Sequence, residues 1–124
     1  MAEAPAIETA GLSKTYGGDV RALVDLNLRV ERGEVFGYLG PNGAGKSTTI
    51  RLLLDLIHPT AGRATIFGLD TQADGPEARR QLGYLPGDLR LSDRLTAREE
   101  LDSLARLRGV VDPAFRDELC ERLT

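Results

Sequence analysis

Residues 40–48 read Gly-Pro-Asn-Gly-Ala-Gly-Lys-Ser-Thr, and their types and spacing suit one kind of chemistry. Gly40, the four spacers Pro41, Asn42, Gly43 and Ala44, then Gly45, Lys46 and Ser47 fill a phosphate-binding loop pattern. A polyphosphate needs several backbone N–H groups converging on it, and a loop poor in Cβ atoms lets the main chain come close. A helix starting near Lys46 adds its unpaired N–H groups and the positive end of its dipole. Lys46 is expected to reach the β- and γ-phosphates as a compact charge. The Ser47 hydroxyl is expected to hold Mg2+, with phosphate oxygens and water completing the shell. The expected ligand is a nucleoside triphosphate.

Positioning such a loop requires a strand before it and a helix after it. Gly33 to Leu39 is expected to form a short buried strand, and Ser47 to Ile57 a helix. Upstream, Ile7 to Leu12 reads as a first strand and Val20 to Val30 as a second. In the second, Leu26, Leu28 and Val30 alternate with Asn27 and Arg29 to give one apolar face. Gly17-Gly-Asp19 supplies the turn between them. Downstream, Pro59 and Gly62 are expected to end the helix and turn the chain into a strand over Arg63 to Gly68. A short helix over Pro76 to Leu82 and a short strand over Gly83 to Pro86 follow. Thr96 and Glu99 form a capping box ahead of Leu101, Leu104, Ala105 and Leu107, and Gly109 closes that helix. Asp112 and Pro113 open a last helix carrying Phe115, Leu119 and Leu123 on one face.

Composition narrows the class. The 124 residues are 41% hydrophobic and 28% charged, with a net charge of −3. A pI near 5.2 gives no basic field for nucleic acid. Of 16 basic residues only Lys14 and Lys46 are lysines, so the Lys in the phosphate loop stands out against arginine elsewhere. Cys120, the single cysteine, excludes an internal disulfide and reads as a small filler of the last helix. His58, the single histidine, has no ligand-spaced Cys, His or carboxylate companions and reads as a helix-end residue. No signal peptide or membrane-length apolar run is present, and a cytoplasmic location is expected.

Taken in order, Leu12-Ser-Lys-Thr-Tyr-Gly17, Val24 to Glu34, the loop at 40–48, Pro59-Thr-Ala-Gly62, Ile66-Phe-Gly68 and Leu82-Gly-Tyr-Leu-Pro86 resemble the first half of an ATP-binding cassette (ABC) domain. That resemblance covers nearly the whole chain. It implies an α/β fold of the ABC type of P-loop NTPase: an antiparallel β subdomain, part of the phosphate-loop core, and the start of a helical subdomain. The first two would occupy about residues 1–86 and the last about 87–124. The domain would be incomplete, an amino-terminal portion cut in its helical subdomain.

By the same resemblance Tyr16 stacks on adenine, Asn42 approaches the γ-phosphate, Thr48 donates to the α-phosphate and Ser47 holds magnesium. The implied ligands are ATP and Mg2+. The implied partners are a membrane-spanning permease at the cytosolic face and a second nucleotide-binding domain. The stretches 84–91 and 95–101 are similar to drug- and antibiotic-export ATPases. The family's glutamine after the Tyr-x-Pro strand is replaced here by Gly87, followed by Asp88. Asp88 either takes over that role through a water or simply begins a turn. The signature Ser-Gly-Gly loop, the Asp-Glu strand and the switch histidine are not in these 124 residues. The chain alone is therefore expected to bind nucleotide without useful turnover. Two other readings stand beside the transport motor: a soluble cassette ATPase acting on ribosomes or DNA, and a non-catalytic nucleotide-binding protein.

Overall fold

The computed structural model describes residues 3–124. They form two compact units, one ending at Gly83 and one running from Tyr84 to Thr124.

The first unit is built on an antiparallel sheet. Strands β1 (Ile7–Tyr16) and β2 (Val20–Val30) form a long hairpin. β3 (Ala61–Ile66) pairs with the other edge of β1, and β4 (Leu69–Asp70) pairs with β3, giving the order β2-β1-β3-β4. The β1–β2 turn uses Gly18 and Asp19 at φ 74° and 61°, conformations that glycine and aspartate tolerate. Helix α1 (Lys46–Leu53) packs on the sheet through Leu52, which joins Leu12, Leu23 and Ala64 in the core. Leu26, Leu53 and Ile57 pack around that cluster. Helix α2 (Gly75–Arg80) follows β4 and buries Ala78.

Several sequence expectations need correction. The sheet continues past Leu12 to Tyr16, because β1 stays paired with Val20, Arg21 and Leu23 of β2. The expected strand before the phosphate loop is absent: residues 34–40 pair with no strand among the described residues, and Val35 and Leu39 are 101% and 92% exposed. A strand is stable only when its N–H and C=O groups find a ladder, and this segment has none. The expected strand at 83–86 is missing as well.

Helix α1 stops at Leu53 rather than Ile57. Asp55 takes φ 55°, and Leu56 N–H bonds to Arg51 C=O at 2.9 Å while Asp55 N–H bonds to Leu52 C=O at 3.1 Å. This is a Schellman closure with Asp in the left-handed position. Asp55 then meets Arg79 of α2 at 2.9 Å. Gly62 does not turn the chain; it lies inside β3 at φ 76°. The reverse turn falls instead at Phe67 and Gly68, both at positive φ, which is the hairpin geometry that creates β4.

In the second unit, α3 (Ala97–Leu107) starts at the expected capping box. Glu99 N–H bonds to the Thr96 hydroxyl at 3.3 Å, and Thr96 N–H bonds to the Glu99 carboxylate at 2.8 Å. Those bonds from Thr96, the backbone one foremost, hold the Glu99 carboxyl below its usual range. Gly109 at φ 76° closes the helix as expected, with Val110 N–H on Ala105 C=O. Helix α4 (Pro113–Leu123) is capped by Asp112, which accepts from Phe115 N–H at 2.9 Å. Arg116 links the two helices through Asp102, and Arg98 reaches Asp117 at 2.5 Å. Arg116 also bonds Asp117 at 2.9 Å; this bond chiefly lowers the Asp117 pKa. Neither helix buries a residue fully.

Candidate functional site: a phosphate loop at the end of the β hairpin

The loop between Leu39 and α1 is shaped by its own backbone. Ala44 N–H bonds to Pro41 C=O at 3.2 Å, forming a tight turn over Asn42 and Gly43. Gly45 is the N-cap of α1 at φ 91°, and no side chain caps the helix there. The first turn of α1 carries no acidic residue. An uncapped, acid-free helix start leaves its free N–H groups for an external anion.

Two contacts fix the loop on the sheet. A Cβ on Gly45 would lie 2.5 Å from Ala22 C=O, so only glycine lets the loop pass this close to β2. At the other side, the buried Thr49 hydroxyl donates to Gly45 C=O at 2.9 Å and lies 3.0 Å from the Tyr38 hydroxyl.

The loop and the turn end of the hairpin enclose a cleft of about 350 Å³. Tyr16, Asn42, Gly43, Gly45, Lys46, Ser47 and Thr48 line it, as do Val20, Arg21 and Ala22 from the start of β2. Sequence reasoning thus brought seven of its candidates to one place. The other three shape the loop: Lys46 Nζ is bonded to the Gly40 and Pro41 carbonyls, and Ala44 holds the turn. Val20, Arg21 and Ala22 were missed. The signal was available, since a strand beginning just after the Gly17–Asp19 turn must run beside Tyr16. Thr48 is buried at the helix start, whereas Ser47 is exposed to the cleft.

This donor set fits a polyphosphate. The open start of α1, Lys46 and the hydroxyl-bearing Ser47 and Thr48 line one cleft, and a Cβ on Gly43 would meet nothing within 4 Å. The Ser47 hydroxyl is exposed on the cleft, an oxygen of the kind that a hard cation such as magnesium takes as ligand. No carboxylate lines the cleft among the described residues.

Asp88 lies in the second unit, exposed, in a turn closed by Leu89 N–H on Pro86 C=O at 3.3 Å. His58 is largely exposed; its Nδ1 lies 2.7 Å from Gln72 Nε2 and 3.5 Å from Asp55 Oδ1. Cys120 is half-buried against the apolar groove between α3 and α4. Among the described residues no helix is long and apolar enough to cross a membrane.

Comparison with known proteins agrees with this geometry. The profile of the ABC transporter family matches residues 23–123. The chain is 45% identical over 116 residues to the daunorubicin/doxorubicin resistance ATP-binding protein DrrA of Streptomyces peucetius, covering 94% of this chain and 35% of that protein. It is 40% identical to the bacitracin transport ATP-binding protein BcrA of Bacillus licheniformis, covering 93% of this chain and 37% of that one. It therefore spans about a third of the length of these relatives. Among solved structures, the dimeric bacterial ABC transporter cassette MJ0796 superposes with a TM-score of 0.73 at 30% identity, over 90% of this chain and 53% of that one. The sheet, phosphate loop and helices are thus part of an ABC-type P-loop nucleotide-binding fold, and the chain belongs to the ABC transporter family.

Proposed function

We propose that this chain is the ATP-binding portion of a transport motor, one that binds Mg-ATP to energise export of a small molecule through a separate membrane-spanning permease. The uncapped start of α1, with Lys46 folded into the loop beside it, is the observation that carries the binding step. The loop amides and Lys46 take the β- and γ-phosphates, Thr48 the α-phosphate, Asn42 the γ-phosphate edge, and Tyr16 the adenine ring. Lys46 donates to the carbonyls of Gly40 and Pro41, which keeps its ammonium beside the loop, and bonds from it to phosphate oxygens would be charge-assisted and stronger. Ser47 supplies the hydroxyl for Mg2+, which neutralises phosphate charge when bound.

The export assignment is supported by the resemblance to the drug and antibiotic ATP-binding proteins. The same kinship supports a second nucleotide-binding domain as partner and a site at the cytosolic face of the membrane. We read residues up to about 86 as β subdomain and phosphate-loop core, and those from 87 as the start of the helical subdomain. With no carboxylate lining the cleft among the described residues to accept a proton from water, the chain by itself is expected to bind ATP and turn it over too slowly to be useful.

The role of Ser47 provides the test. Titration of the chain with ATP, with Mg2+ and with chelator, is expected to show magnesium-enhanced binding that Ser47→Ala removes. Equal enhancement in the variant would overturn the assignment.

A further inference from the structure

Tyr16 stands where the backbone controls it least. It pairs with Val20 on the last rung before the hairpin turn, and the β1–β2 register slips on both sides of Lys14. The residue is 38% exposed. An exposed aromatic side chain has several rotamers open to it, and ordering it on binding costs affinity. A ring intended to receive a flat base therefore needs an anchor of its own.

Lys14 is placed to be that anchor. Its ammonium lies over the Tyr16 ring, 5.3 Å from the centroid, within cation–π range. The same ammonium donates to His58 C=O at 2.7 Å, a second contact that holds it in place. His58 is itself held, through its ring contacts with Gln72 and Asp55. Three further bonds tie this end of β1 to the segment after His58: Thr15 N–H to the Thr60 hydroxyl and Thr60 N–H to Ser13 C=O, both 2.9 Å, and the Thr60 hydroxyl to Thr15 C=O at 3.3 Å. Tyr16 lines the phosphate-loop cleft and Lys14 does not, so the ammonium contacts the ring without itself lining the cleft. Lys14 and Lys46 are the chain's only lysines; Lys46 lines the cleft, and Lys14 contacts the Tyr16 ring that lines it.

We propose that Lys14 is a positioning residue that holds the Tyr16 ring for the base of the nucleotide. The proposal rests on the reading of Tyr16 as the base platform. Its signature is selective: it strengthens binding of the base and does nothing for the phosphates.

Equilibrium titrations of the full chain with Mg-ATP and with Mg-tripolyphosphate separate the two. Lys14→Met is expected to weaken ATP binding about 3- to 10-fold, the cost of re-ordering one side chain, and to leave tripolyphosphate binding unchanged. Lys14→Arg is expected to restore ATP binding, since a guanidinium also stacks on an aromatic face. Lys14→Gln keeps a donor for His58 without the charge, and it decides the matter if the Met variant does not fold. A Gln variant that binds ATP like the parent would overturn the proposal. Equal losses for ATP and tripolyphosphate would reveal a merely structural tie and also overturn it. Tyr16→Ala tells the two ideas apart: if it weakens ATP binding while the Lys14 variants do not, the base platform stands and the anchor falls. If Tyr16→Ala changes nothing, both fall.

Discussion

A Cβ placed on Gly45 would stand 2.5 Å from the carbonyl oxygen of Ala22. This approach seats the phosphate loop on the start of β2, and β2 in turn sets the cleft wall facing Lys46. The sheet and the ligand loop are therefore one mechanical unit, joined where no side chain fits. Gly45→Ala is expected to destabilise the chain by about 1–3 kcal/mol, because φ 91° also strains any residue with a Cβ. ATP affinity should fall with it, by tenfold or more as a rough scale. Denaturant unfolding and nucleotide titration of the variant check both.

A second glycine contact holds the sheet itself. A Cβ on Gly62 would reach 2.2 Å from Gly11 C=O, at the point where the β1–β3 register slips between Ala10 and Ser13. Gly62→Ala must therefore push β3 off β1. A loss of about 2 kcal/mol or more is expected, read as a lower melting temperature. The phosphate loop lies elsewhere, so nucleotide affinity per folded molecule should change much less than in Gly45→Ala.

The phosphate loop, its helix start, the β hairpin and both late helix caps were legible because each is set by local chemistry. Gly45-Lys46-Ser47, the Gly17–Asp19 turn, and the Thr96/Glu99 and Asp112/Pro113 pairs act within a few residues of themselves. The strand expected at 33–39 was not local in this sense. Its apolar residues ask for a buried ladder, and the described chain provides no strand to pair with. Gly62 misled for a related reason: its glycine is needed for contact with Gly11, about fifty residues away, and not for a turn. Arg21 entered the site only through the hairpin's pairing, which brings the start of β2 beside Tyr16.

The exposed segment 34–40 has a solution consequence. Val35 and Leu39 are exposed, and residues 34–40 pair with no strand among the described residues, the condition under which an extended segment recruits other chains. Val35→Lys is expected to raise solubility and reduce self-association at neutral pH, with little change in the melting temperature. Sedimentation velocity over a concentration series measures it.

Acid should loosen the α3–α4 pair. Hydrogen bonds from Thr96 lower the Glu99 pKa, and the bond from Arg116 foremost lowers that of Asp117. A carboxylate with a depressed folded pKa contributes stability above its unfolded value and loses it as pH falls through the folded one. Helical signal from this unit should therefore hold near neutrality and decline below the usual carboxylate range. Glu99→Gln should blunt that decline, as followed by circular dichroism in a pH titration.

We propose that ATP binds in the cleft at residues 40–48 through Lys46. Calorimetric titration of the chain and of Lys46→Ala with Mg-ATP tests it most directly. Saturable one-to-one binding is expected for the parent chain. The loss of charge-assisted phosphate bonds should weaken the variant about 10- to 100-fold. Equal affinities in the two proteins, or no binding by the parent, would contradict the account.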